Sequence, residues 1–158
     1  ANQFHVDGGW VSDALKLGIR MGFVASSDHM STHASYACVY ATACTREALI
    51  EALLARRCYA ASDRILCTFR AGGAFMGEAV PCPDGEVPFA LHFAGAGPLR
   101  EITLLRDSEP YRTWTGDGAS ARTIELSLPA DACRGHWFYA RCIQEDSHLA
   151  WSSPIWLD

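Results

Sequence analysis

Two periodicities divide the chain. From 87 to 93 apolar and other positions alternate, with Val87, Phe89, Leu91 and Phe93 on one side and Pro88, Ala90 and His92 on the other. A period of two is the mark of a half-buried strand. The alternation returns over 101–106, through Ile102 and Leu104, and over 122–128, through Ile124, Leu126 and Leu128. Further strands are expected at 65–70, 75–80, 111–114, 136–144 and 149–157. Turn chemistry separates them: Gly72-Gly73, a loop with Pro81, Pro83 and Gly85, then Gly95, Gly97-Pro98, Asp117-Gly118 and Glu145-Asp146-Ser147. Roughly seven or eight short strands at this spacing predict an antiparallel, Ig-like β-sandwich over 62–158.

The first 61 residues read differently. Trp10, Val11, Ala14, Leu15 and Leu17 fall at helical spacing before Gly18, a natural helix stop. A short buried strand is expected over 21–26 and a second apolar run of β character over 36–42. Thr45 is a good N-cap, and Glu47 suits the first turn of a helix. Behind it, Ala48, Leu49, Ala52 and Leu53 share one face, widened by Ile50 and Leu54, and Arg56 and Arg57 close the helix. Helix, glycine stop and apolar strand make 1–61 a short α/β segment, so the fold class is mainly β with a small α/β portion in front.

Chemistry concentrates at one place. The run Phe23-Val24-Ala25 leads into Ser26, Ser27, Asp28, His29 and then His33. One carboxylate and two imidazoles at a strand end suit metal or acid–base work; the plainer reading is a polar turn whose side chains serve backbone amides. His5 and Asp7 offer two ligands on one side of an extended segment, against the plainer reading of a solvated terminus. The serines and Thr32 lack a Gly-x-Ser-x-Gly elbow, so no serine nucleophile is expected. Tyr36, Tyr40 and Tyr59 read as core or rim aromatics. Trp114, Trp137, Tyr139, Trp151 and Trp156 could make a platform for sugars or peptides, and Arg106, Arg112 and Arg141 could hold a phosphate or a carboxylate; the plainer readings are core aromatics and solvated strand faces.

Composition narrows the partners. A net charge of −5 leaves no basic surplus for nucleic acid. No apolar run approaches the roughly 20 residues that span a bilayer, and no signal peptide is expected within the sequence. Seven cysteines form no C-x-x-C pair and sit mostly in apolar runs. They read as reduced structural thiols, and favour a reducing compartment such as the cytoplasm.

The strings GFVASSDHMSTH, TREALIEALLARRCYAASDRI and FMGEAV, with the ending FYARCIQEDSHLAWSSPIW, resemble PHP-type metal-dependent phosphoesterases. The nearest likeness is to the C-terminal part of a bacterial subgroup of uncharacterised PHP-related proteins, the DUF3604 type. The resemblance runs from about Leu17 to Trp156. It implies a distorted β/α barrel holding two or three ions of zinc, manganese or iron, with metal-activated water attacking a phosphoester. Asp28, His29 and His33 would be its last ligands. The family pattern there is Asp-x-His, whereas here His29 follows Asp28 directly and position 30 is Met30. The early His-x-His motif and the upstream ligands are absent.

The expectation is therefore a C-terminal piece of a PHP-like phosphoesterase, inactive by itself and completed by a missing N-terminal barrel part. Homo-oligomerisation through Phe23, Val39 or Leu53 is a second expectation. The alternative is a β-sandwich interaction module that binds a partner chain or glycan and needs no metal.

Overall fold

The structure is a computed structural model that describes residues 8–27 and 34–158. Asp28, His29 and His33 lie outside the described residues, as do His5 and Asp7. The described residues form a mainly antiparallel β-sandwich of two sheets. In the larger sheet β1 (Tyr36–Val39), β2 (Cys58–Ala61), β11 (Leu149–Ser152), β10 (His136–Gln144), β12 (Ile155–Leu157) and β5 (Ala79–Val80) follow one another. On the other side of β10 lies β7 (Leu99–Arg106), which carries β8 (Glu109–Thr115). The smaller sheet has the order β4 (Ala74–Phe75), β3 (Leu66–Ala71), β6 (Glu86–Ala94), β9 (Ala121–Pro129). The larger sheet thus includes β1 and β2, which precede residue 62.

β6 and β9 behave as their alternation requires. Val87, Phe89, Leu91 and Phe93 of β6 are all buried, facing Ile102 and Leu104 of β7 and Phe138, Ala140 and Cys142 of β10 in one core. Phe89 meets the Phe138 ring edge-on at 5.0 Å, which ties the two sheets together. The Gly72-Gly73 turn has both φ angles positive, at 58° and 88°, as a two-residue hairpin between β3 and β4 needs.

Two expected strands are broken. The return over 75–80 stops after Phe75, and β5 then joins β12 as a parallel pair. Gly77 marks the break, with φ of 94° and Arg56 O where a side chain would stand. The run 149–157 splits at Ser153-Pro154 into β11 and β12, which cover successive parts of β10. Proline has no N–H to continue a ladder.

The helices are α1 (Val11–Lys16) and α2 (Arg46–Leu54). Thr45 caps α2 as the sequence indicates, its Oγ1 accepting from Ala48 N at 3.3 Å. Between the helices, the strand expected over 21–26 is absent. That stretch joins no ladder; it lies on the outer face of the larger sheet. There Leu15, Phe23, Ala60, Leu105, Tyr139 and Trp156 form a second, smaller core. Gly22 permits the approach, because a Cβ at that position would come within 2.8 Å of Cys58 Sγ.

Candidate functional site

The described residues on either side of 28–33 are held firmly. Phe23 N donates to Ser153 Oγ at 2.8 Å, and Ser153 Oγ donates to Cys58 O at 2.6 Å. The Phe23 ring meets Tyr139 edge-on at 5.3 Å. Ser27 Oγ then donates to Ser35 O at 3.0 Å and accepts from Ser35 N at 2.9 Å. One hydroxyl therefore joins the chain before Asp28 to the chain after His33. Ser35 leads directly into β1, an edge strand whose neighbour among the described residues is β2. Among the described residues no group of three or more His, Cys, Asp or Glu side chains is placed to hold a metal.

A second constellation is formed by long-range strand pairing. The β7–β10 pairing sets Asp107 beside Trp137, and His136 Nδ1 lies 2.5 Å from Asp107 Oδ2. Asp107 and Ser108 make the β7–β8 turn with φ of 53° and 71°, a left-handed conformation that usually selects glycine or asparagine. The carboxylate orients the imidazole through Nδ1. His136 lines a cleft of about 190 Å³ with Arg20, Trp137, Trp156 and Asp158 among its walls. Arg20 is paired with Asp158 at 2.6 Å and lies over the Trp156 ring, so its charge is already countered. Twenty-nine positions separate Asp107 from His136, and no local motif announces the pair.

The other reactive groups are restrained. Burial pushes the Tyr40 hydroxyl up to about 12, and that group donates to Cys67 O at 2.8 Å. Burial also raises the Cys142 thiol to about 12 and the Cys133 thiol to about 11. Cys67 is raised too, by burial first and then by Cys142 and Cys38 nearby. Such thiols stay protonated and are poor nucleophiles. All seven cysteines are free, and five are buried.

The arginine reading needs correction. Arg112 is exposed, but Arg106 donates to Ala132 O and lies over Tyr111, while Arg141 donates to Glu101 at 2.9 Å. Two of the three are therefore structural partners, not solvated charges. Tyr139 and Trp156 are buried, as core aromatics should be, and Trp137 and Trp151 pack against them. Phe23 is buried in the same cluster, which removes it from any self-association surface.

No family model matches the chain. It is similar to an uncharacterized protein of Chlamydia pneumoniae, 29% identical over 181 aligned positions that cover 95% of this chain and 29% of the relative. An uncharacterized protein of Chlamydia trachomatis is 28% identical over 179 positions, with the same coverage. Another, from Chlamydia muridarum, is 27% identical over 179 positions. The chain thus spans about 29% of the length of the curated relatives it matches. Among the described residues no helix is long and apolar enough to cross a membrane.

Proposed function

We propose that this chain is part of a longer PHP-like phosphoesterase, to which it contributes Asp28, His29 and His33 as ligands of a divalent metal. The observation that carries the reading is the Ser27 hydroxyl, which binds both the N–H and the C=O of Ser35. Joining the two sides of an interval removes conformational entropy before any ligand arrives. A carboxylate and two imidazoles suit zinc, manganese or iron. Such a metal supplies Lewis acidity towards water and a phosphoryl oxygen. Ser27 has a positioning part: it fixes where the interval leaves and rejoins the sandwich. The length of the Chlamydia relatives leaves room for the further ligands that such a centre needs.

The test is metal content by elemental analysis, followed by zinc and manganese titration, of the wild type and Asp28→Ala. Metal bound by the wild type and lost in the variant supports the assignment. Equal metal content in both overturns it.

A second reading keeps the sandwich and discards the metal: a non-catalytic module that binds a partner chain or glycan. It is favoured by the larger core, whose buried side chains among the described residues all lie from Tyr59 onwards. Retention of a partner or glycan by a metal-free Asp28→Ala protein would support it.

A further inference from the structure

We infer that the exposed face of α2, with the open edge of β1 beside it, is an interface covered by the remainder of a longer polypeptide. The inference shares with the proposed function the premise of a longer protein, and needs nothing of its metal chemistry.

The helix itself supplies the first argument. Of its nine residues only Ala52 is buried. Leu49 is 36% exposed, Ile50 46%, Leu53 43% and Leu54 75%. At about 100° per residue these four sweep a continuous arc of roughly 140°. Isolated helices shorter than about 12 residues are marginal, and most draw their stability from a packed apolar face. Here the face exists, and the described residues do not cover it.

The surroundings extend the patch. Among the described residues β1 pairs with β2 alone, which leaves its opposite row of backbone groups as a sheet edge. Gly22 lies against Arg56 and Cys58, just past the end of α2. The segment through Gly22 exposes Ile19 and Val24 as well.

Magnitude selects the occupant. The four α2 side chains expose on the order of 400 Å², about half of what each partner of a stable dimer buries. A second copy seated on these four side chains alone is therefore a poor fit. A tethered domain needs less area, because its effective concentration reaches about the millimolar range. The matched relatives carry more than twice as much polypeptide outside the matched region as within it, which supplies such a domain.

The experiment compares hydrogen exchange in the 158-residue chain with exchange in the intact gene product that contains it. Both are made as wild type and as Leu49→Glu/Leu53→Glu, two positions already exposed in this chain. In the intact wild type, α2 and β1 amides are expected to exchange about 100-fold more slowly than in the 158-residue chain, with β6 and β9 unchanged. The double variant is expected to lose that protection without altering β6. Equal α2 exchange in both lengths overturns the inference, as does protection that survives the variant. So does a gene product that adds nothing to these residues, or α2 protection in the 158-residue chain that rises with concentration. Metal content measured on the same samples keeps the two readings apart: metal lost in Asp28→Ala with α2 unprotected sinks only the interface.

Discussion

β6 and α2 are both nine residues long, and both carry at least four large or branched apolar side chains, yet they meet opposite fates. In β6, Val87, Phe89, Leu91 and Phe93 vanish between two sheets, with β3 and β9 paired on either side. In α2, the leucines and the isoleucine face outward, and the one buried side chain is Ala52. Both patterns report the element type faithfully. They differ in whether the matching surface lies within these residues. A strand in a sandwich finds its partners in the same hydrogen-bonded layer and the layer opposite. The apolar face of α2 meets no such layer among the described residues.

That contrast can be broken most forcefully at Phe89. Phe89→Ala is expected to cost about 3–5 kcal/mol in a urea titration, because the ring fills space between Phe69 and Phe138. Leu54→Ala, at a similarly apolar position, should move the midpoint by less than about 0.5 kcal/mol. Comparable losses at both positions would mean that α2 is packed in this chain. Ser153→Ala is the next largest change. It removes the acceptor of Phe23 N and the donor to Cys58 O, at an expected cost of about 1–3 kcal/mol. Limited proteolysis should then cut within 18–24 sooner, while β6 and β9 keep their exchange protection; unchanged cleavage would show that Phe23 packing holds the segment unaided. Thr45→Ala is smaller still, about 1 kcal/mol from the lost cap, and purely local. Amide exchange should quicken over 46–54 and nowhere in the sandwich.

How much of this the sequence made legible follows from the range of each interaction. Alternation in β6 and β9, the Gly72-Gly73 turn and the Thr45 cap are local, and all are seen in the structure; β7 instead buries both faces, Ile102 and Leu104 in the larger core and Leu105 in the smaller. The stretch 21–26 is apolar for another reason: Phe23 and Ala25 pack onto a sheet face without joining a ladder. An apolar run alone does not separate those two outcomes. The split of 149–157 was signalled by Pro154, whose missing N–H is a local fact that the run of apolar residues obscured. The His136–Asp107 pair had no signal, because strand pairing over 29 positions creates it. As for Asp28, His29 and His33, the structure describes their flanks, where a pair of hydrogen bonds between Ser27 and Ser35 links residues eight apart.

The finest distinction concerns charge. In the sandwich, Glu101 accepts from Thr103 Oγ1 at 2.8 Å and from Arg141 at 2.9 Å. The Thr103 hydrogen bond first, and Arg141 after it, hold the Glu101 carboxyl below the usual glutamate range. Beside α2 the Arg57–Glu51 pair has no such hydroxyl, and its carboxylate is more exposed. A carboxyl lowered in the folded state stabilises the fold above its unfolded value, about 4.3, and that contribution disappears as pH falls through the lower folded value. Glu101 is one-third exposed, so solvent screening holds the gain to less than about 1 kcal/mol. Glu101→Gln should therefore lower the urea midpoint at about pH 6 and approach the wild-type value near pH 3. Glu51→Gln should leave the midpoint close to wild type at both. A Glu101→Gln deficit that stayed constant with pH would assign the effect to shape rather than charge. A deficit equal to that of Glu51→Gln would place both pairs in the same solvent-screened class, and would erase the electrostatic side of the contrast between sandwich and helix.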